Sequence, residues 1–124
     1  MNVKILTEEK NMPFINLRTN IKVNSEKKNI LKEEFDESIS IISGKSKEWL
    51  MIEIDDDLDM FFSGSDAPLC MIELKIYGTC SPSESKEIVN KLTSVVSNSL
   101  NISSSRIYVS IFETEKWSID GELF

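Results

Sequence analysis

The sequence predicts an α+β fold, in which a duplicated β-α-β unit forms a four-stranded mixed sheet with two helices on one face. The first observation behind this prediction is a gapless internal repeat: residues 13–54 recur as residues 70–111 at a constant offset of 57. The second is that each copy changes from period-two alternation to spacings of three and four, and then returns to period two. Strand, helix and strand produce these periods in that order, so the repeated unit is a β-α-β unit.

The first strand of each copy is marked by alternation. Residues 14–18 and 71–76 alternate apolar and polar side chains, which is typical of a strand that buries one face. Ile15 of the first copy corresponds to Ile72 of the second, so the repeat preserves the buried face as well as the strand.

A helix follows in each copy, because the apolar residues change to helical spacing. The apolar stripes are Leu31, Phe35, Ile39 and Ile42 in the first copy and Ile88, Leu92, Val95, Val96 and Leu100 in the second. Ser81, followed by a proline and then an acid, predicts the start of the second helix, whereas Ser25 is a weaker start signal for the first. Gly44 and Asn101 predict the two helix ends, because these residue types tolerate the left-handed conformation.

The second strands are predicted at residues 49–54 and 107–112, where alternation returns. A β-α-β crossover is right-handed and makes its two strands parallel, so two copies place both helices on the same face of one sheet. The side chains predicted to face these helices form the core: Ile15, Leu17, Leu50, Ile52, Ile54, Ile72, Leu74, Ile76, Ile107, Val109 and Ile111.

The opposite face of the predicted sheet mixes aromatic and charged side chains. It carries Phe14, Asn16, Arg18, Met51, Glu53, Met71, Glu73, Lys75, Tyr77, Tyr108, Ser110 and Phe112. This composition is too aromatic for a plain solvated surface and too charged for the interior of a monomer. We therefore expect a subunit interface and an oligomer, with an ordinary solvated sheet face as the alternative.

Composition indicates one soluble domain. The chain has 124 residues and a net charge of −7, with basic residues scattered among acids, so neither nucleic acid nor an anionic membrane is an expected partner. Residues 1–11 carry charges and no apolar stretch, so we find no secretory signal and expect a cytoplasmic protein. The acidic run at residues 55–59 lacks the ligand spacing of a calcium loop and is interpreted as a solvated loop.

The absence of histidine narrows the chemistry. Without histidine, neither a Ser-His nor a Cys-His nucleophilic pair can form, and a histidine-containing zinc site is excluded. Cys70 and Cys80 are the only thiols and form no C-x-x-C pair, so we expect free thiols in a reducing compartment. Neither a metal nor a cofactor is predicted, and proton transfer is left to carboxylates, lysines, tyrosines and amines.

Met12 and Pro13 are the remaining chemical feature. Removal of an initiator methionine before proline leaves a prolyl secondary amine, which is basic and conformationally fixed. Taken alone, Pro13 favours a structural interpretation, because the first residue of a strand can dispense with its N–H.

Short motifs in order along the chain support the chemical interpretation. They are Met12-Pro13-Phe14-Ile15, Thr19-Asn20, Gly44-Lys45, Phe62-Ser63-Gly64-Ser65, Arg106-Ile107-Tyr108-Val109 and Gly121-Glu122-Leu123-Phe124. With the duplicated unit, these motifs resemble the macrophage migration inhibitory factor family of the tautomerase superfamily, over residues 12–124. The resemblance implies a homotrimer whose sheets line a central channel and whose active sites lie between neighbouring subunits.

The resemblance also implies an activity without cofactors. Pro13 would be the catalytic base in keto–enol tautomerisation of small, arylpyruvate-like 2-oxo acids. Lys45 would bind the substrate carboxylate and stabilise enolate charge, and the backbone N–H of Tyr77 would bind substrate.

Five further positions match the wall of the family's pocket. Tyr108 and Ser110 fall at positions that a neighbouring subunit contributes, and Ser110 departs from the asparagine common there, which puts recognition of a distal hydroxyl in doubt. Trp117, Ile119 and Phe124 match the apolar wall, with Ile119 in place of an aromatic residue.

Two departures from the family limit what is carried over. The C-x-x-C of the mammalian member would fall at Leu69 and Ile72, so its proposed thiol oxidoreductase activity is not implied here. Residues 1–11 form an extension before a single domain at 12–124, and an acylated Pro13 nitrogen cannot act as a base. Met12 as the initiator, or trimming of the extension, would each restore the amine.

A second function therefore stays open. It is a catalytically silent, cytokine-like trimer that binds a cell-surface receptor. Export without a leader is implied by the resemblance alone.

Overall fold

The computed structural model describes residues 12–123, and its four-stranded sheet confirms the predicted architecture. Its strands are β1 (Pro13–Thr19), β2 (Met51–Asp55), β3 (Cys70–Tyr77) and β4 (Ile107–Thr114), in the spatial order β2-β1-β3-β4. Each repeat contributes one parallel pair, β1 with β2 and β3 with β4, and the repeats meet where β1 runs antiparallel to β3. The sheet is therefore mixed.

Both helices cover one face of this sheet. They are α1 (Ser25–Ser38) and α2 (Pro82–Leu100), and their buried side chains join the inward strand residues in one core. The predicted start of α2 is confirmed, since Ser81 and Glu84 form a capping box. The start of α1 differs by one residue: Asn24, not Ser25, is the N-cap, and its side chain accepts the N–H of Lys27.

The two helices end differently, although the sequence predicted similar ends. Asn101 follows α2 directly in the left-handed conformation, with φ 55°, as predicted. Helix α1 instead continues through a 3₁₀ turn at Ile39–Ile41, and Gly44, with φ 80°, lies beyond that turn. The longer connection sets the position of the next residue, Lys45.

Burial in the core is most complete at the two central strands. Inward side chains of β1 and β3 are fully buried: Ile15, Leu17, Ile72, Leu74 and Ile76. Inward residues of the edge strands pack against this core but are only partly buried, because an edge strand has a neighbour on one side only: Ile52, Ile54, Val109 and Ile111. Apart from Met12 and Pro13, every buried apolar side chain that the structure describes lies between Ile15 and Ile107. Nearly all of the core that the structure describes therefore lies downstream of Pro13.

The strand β2 begins later than predicted. Residues Lys47–Trp49 form a 3₁₀ turn, so the strand starts at Met51, and Leu50 packs against the core from just outside it. In the acidic run after β2, Asp57 and Asp59 are exposed as predicted, whereas Asp56 makes a specific backbone contact. Asp56 accepts the backbone N–H of Val23 at 2.7 Å, which lowers the pKa of this carboxyl.

A short C-terminal hairpin was not predicted. It pairs β5 (Ser118–Ile119) with β6 (Glu122–Leu123). The residues between them, Asp120 and Gly121, have φ 55° and 77°, and two such residues suit a tight hairpin turn. The hairpin matters because its first strand reaches the beginning of β1.

Both cysteines are free thiols, as predicted. Burial raises the pKa of Cys70 to about 12, so its thiol stays protonated at neutral pH. Within residues 12–123, neither helix has the length and apolar character needed to cross a membrane.

Candidate active site

An apolar cleft of about 520 Å³ lies at the beginning of β1. Its lining residues come from the start of β1, the turn before β2 and the C-terminal hairpin: Met12, Pro13, Phe14, Glu48, Trp49, Leu50, Met51, Trp117, Ser118 and Ile119. Two residues predicted for the site, Pro13 and Ile119, therefore share one cleft, with Trp117 beside them. A larger groove of about 640 Å³ between α1 and β2 contains none of the predicted site residues.

Pro13 is buried as the first residue of β1, where it pairs with Ile76. Met12 continues this pairing by one residue, since its carbonyl oxygen accepts the backbone N–H of Tyr77 at 3.3 Å. Met12 is only 5% exposed. In the chain that includes Met12, the Pro13 nitrogen belongs to a planar amide and has no lone pair to accept a proton.

Lys45 also contacts Tyr77, the residue whose N–H binds the Met12 carbonyl. Its Nζ donates a hydrogen bond to the backbone carbonyl of Tyr77 at 2.7 Å, and the residue is only 8% exposed. Burial lowers the pKa of Lys45, and the nearby Cys80 opposes this shift. The peptide groups of Tyr77 thus contact Met12 through the N–H and Lys45 through the carbonyl.

The turn that carries Lys45 is fixed by hydrogen bonds at both ends. The Lys45 N–H donates to the carbonyl of Ile42 at 3.0 Å, and the Ser43 N–H donates to Glu84 of α2 at 2.7 Å. These contacts position a lysine that sequence reasoning placed only beyond a helix end.

Trp49 is a cleft residue that sequence reasoning missed. It was assigned to the second strand, where alternation would turn it away from the core, but the 3₁₀ turn at Lys47–Trp49 places it in the cleft. Its indole Nε1 is buried and finds no hydrogen-bond partner in the described part of the chain. The signal in the sequence that could have indicated this cleft residue was a tryptophan only four positions after Lys45.

Tyr108 and Ser110 lie elsewhere in the subunit. They occupy β4 opposite Met71 and Glu73, on the face away from the helices, and neither lines the Pro13 cleft. The Tyr108 ring packs edge-to-face against Phe62, with 4.9 Å between ring centroids. Their contribution to a neighbouring subunit's site stays a prediction.

One predicted site residue has no described geometry. Phe124, like residues 1–11, lies outside the described residues. Among residues 12–123, no group of three or more acidic or cysteine side chains is arranged to hold a metal ion.

Comparisons with known proteins identify the family and the fold of the chain. A family model described as macrophage migration inhibitory factor matches residues 12–122. A macrophage migration inhibitory factor homolog from Brugia malayi is 27% identical over 108 residues, which cover 87% of this chain and 93% of that protein.

Solved structures match the fold. The crystal structure of Leishmania major MIF2 superposes with a TM-score of 0.85 at 23% identity, covering 91% of this chain and 97% of that one. A macrophage migration inhibitory factor homologue from Prochlorococcus marinus gives a TM-score of 0.82 at 23% identity, covering 90% and 98% of the two chains. From the family match over nearly the whole described chain, we conclude that this protein belongs to the macrophage migration inhibitory factor family.

Proposed function

We propose that this protein is a cofactor-free keto–enol tautomerase of arylpyruvate-like 2-oxo acids that acts through Pro13 when its amine is released. The observation that carries this proposal is the convergence at Tyr77. The residue before Pro13 contacts the N–H of Tyr77, and the buried Lys45 ammonium contacts its carbonyl. Tyr77 therefore links Lys45 to the residue before Pro13 at one end of the sheet, although neither Lys45 nor Tyr77 lines the apolar cleft itself.

In the proposed reaction, the Pro13 amine removes a proton from the carbon next to the substrate ketone. The C–H electron pair forms the carbon–carbon double bond while the ketone oxygen takes the negative charge. The same proton then passes from Pro13 to that oxygen and gives the enol, and the reverse sequence returns the ketone. An α-amino group has a pKa near ~8 in water, and an apolar cleft lowers it by disfavouring the charged form. Free base is thereby available near neutral pH.

Lys45 supplies the charge that this substrate class requires. Lys45 is buried and its ammonium is partly desolvated, so a carboxylate beside it meets a stronger field than in water. Trp117 and Ile119 line the cleft and suit an aryl group. Phe124 is assigned to the same wall by the family pattern alone.

We further propose a homotrimer in which Tyr108 and Ser110 complete a neighbour's cleft. On the outer sheet face, Tyr108 is 56% exposed and Phe112 is 47% exposed, and large exposed aromatic side chains are typical of interfaces. The Ser110 Oγ is buried without a hydrogen-bond partner among the described residues. A neighbouring subunit would cover these exposed aromatic rings.

A receptor-binding protein without turnover is the second candidate function. It is favoured by the burial of Met12, because the Pro13 nitrogen is acylated in this state. In this proposal, residues 1–11 are an extension to a domain at 12–124, and Met12 stays covalently bound to Pro13. The protein would act in the cytoplasm or, for receptor binding, after leaderless export.

Turnover by two chains tests the first candidate. A chain beginning at Pro13 should tautomerise phenylpyruvate, whereas the full 124-residue chain should be nearly inactive although equally folded. The Pro13→Gly variant of the short chain keeps an N-terminal amine but loses the ring, and it should retain only part of the activity. Equal activity in the long and short chains, with intact mass confirmed after the assay, would show that Pro13 is not the base.

A further inference from the structure

We propose that Met12 is an autoinhibitory element that closes the Pro13 cleft to carboxylate ligands through its backbone carbonyl. This inference rests on the proposed function, because it concerns the same cleft and the same class of ligand. It adds a second block to the covalent one, since acylation disables the base while the Met12 carbonyl prevents binding.

The geometry of Met12 supports this block. Its carbonyl oxygen lies 3.3 Å from the Tyr77 nitrogen and accepts that N–H. A carboxylate held by Lys45 would have its second oxygen near the N–H of the same residue, because the Lys45 Nζ is bound to the Tyr77 carbonyl. The Met12 oxygen thus occupies a donor that a bound carboxylate would use, and it stands in for a ligand oxygen.

The burial of Met12 makes this arrangement persistent. The residue is 5% exposed, and its hydrogen bond continues the β1–β3 ladder beyond the Pro13–Ile76 pair. A ligand would have to displace both the buried side chain and a ladder hydrogen bond before it could bind. Removing Met12 would release the amine and open the cleft in one step.

Three chains separate the two blocks. They begin at Met1, at Met12 and at Pro13, and they share the core, which lies between Ile15 and Ile107. The probe is 3-phenylpropionate, a carboxylate that lacks the 2-oxo group and so binds without turnover. Binding is measured by titration calorimetry and by the chemical shift of the Tyr77 amide in ¹⁵N spectra.

The chain from Pro13 should bind the probe at least tenfold more tightly than the other two, with a shift of the Tyr77 amide on binding. The chain from Met12 is the matched control, because it gains an N-terminal cation but keeps the Met12 carbonyl. If it binds as tightly as the chain from Pro13, attraction by the new charge explains the gain and the proposed block is wrong.

A substitution in the full chain tests the carbonyl itself. Met12→Ala shortens the side chain but keeps the backbone oxygen, so probe binding should stay as weak as in the unmodified full chain. Tight binding by this variant would assign the block to the side chain and overturn the inference.

Failure of this inference differs from failure of the proposed function. A short chain that binds the probe tightly but leaves phenylpyruvate unchanged would refute the tautomerase while preserving the Met12 block. A short chain that turns over phenylpyruvate, combined with equal probe binding in all three chains, would do the reverse.

Discussion

The Glu84 carboxylate accepts the backbone N–H of Ser43 at 2.7 Å, and this contact joins the start of α2 to the turn that carries Lys45. Its other oxygen accepts the backbone N–H of Ser81 at 2.8 Å, within the capping box of the helix. Both hydrogen bonds favour the ionised form and hold the pKa of Glu84 at about 2. One acid therefore caps a helix and positions the candidate carboxylate-binding lysine.

This depressed pKa predicts a specific acid sensitivity. Glu84 has an ordinary pKa of 4.5 when unfolded and about 2 when folded, so the unfolded chain binds more protons in this interval. The stabilisation is present above pH 4.5 and should be lost as the pH falls toward about 2. The Glu84→Gln variant cannot titrate here, so its thermal midpoint should fall less over the same interval.

The control for this experiment is Glu87→Gln, which changes an exposed acid on the same helix. It should keep the acid sensitivity of the unmodified chain. If the thermal midpoint falls equally with pH in the Glu84→Gln variant and in the unmodified chain, Glu84 is not the cause of the acid sensitivity.

Lys45 should contribute to substrate binding through its charge. In a chain beginning at Pro13, Lys45→Met should lower kcat/KM for phenylpyruvate by about 10- to 150-fold, since a hydrogen bond to a charged group contributes roughly 1.5–3 kcal/mol. Methionine approximates the length of the buried stem, whereas alanine would add a cavity.

The methyl ester of phenylpyruvate is the matched substrate for this test. It has no carboxylate, so at a pH above the midpoint of the Pro13 amine the variant should lose much less kcat/KM on the ester than on the acid. Equal loss on acid and ester would indicate that Lys45 maintains the shape of the cleft instead of recognising the carboxylate.

Most of the fold could be predicted because the internal repeat and the apolar periodicities indicate the same strands and helices. Strand parity identified the inward side chains of both central strands, such as Ile15 and Ile72, and these are fully buried. Capping chemistry identified Ser81, which binds the third residue of α2. The handedness of the crossover predicted that both helices lie on one face, but it did not determine the strand order β2-β1-β3-β4.

The sequence did not determine features that depend on contacts between distant residues. Residues 39–42 have helical spacing, but the α-helix ends at Ser38 and a 3₁₀ turn continues the stripe. The contact between Met12 and Tyr77 joins positions 65 residues apart, and no local pattern indicates it. Trp49 lies in the cleft because Lys47–Trp49 forms a 3₁₀ turn, whereas the alternating pattern had predicted a strand from Trp49 onward. The site was therefore less predictable than the sheet beneath it.

The outer sheet face predicts the oligomeric state. We expect sedimentation equilibrium at micromolar concentration to give three times the 14.2 kDa subunit mass. Phe112→Asp should weaken assembly, because it replaces an exposed apolar ring, which lies 5.8 Å from Lys75 Nζ, with a carboxylate that an interface would have to bury. Lys91→Asp, on the exposed side of α2, is the control and should sediment as the parent chain does. A monomer mass for the unmodified protein would contradict the proposed trimer.

The pH dependence of turnover should report the Pro13 amine directly. For a chain beginning at Pro13, kcat/KM for phenylpyruvate should rise with pH as the amine loses its proton. The midpoint should lie below the ~8 of an ordinary α-amino group, because the apolar cleft and the Lys45 cation both disfavour the protonated amine. Lys45→Met removes the cation, so the midpoint should move to higher pH even as the rate falls. Lys91→Met, an exposed change on α2, should leave the midpoint in place. A midpoint that is the same in all three chains would mean that Lys45 does not act on the amine, and a rate that does not vary between pH 5 and 9 would remove Pro13 as the base.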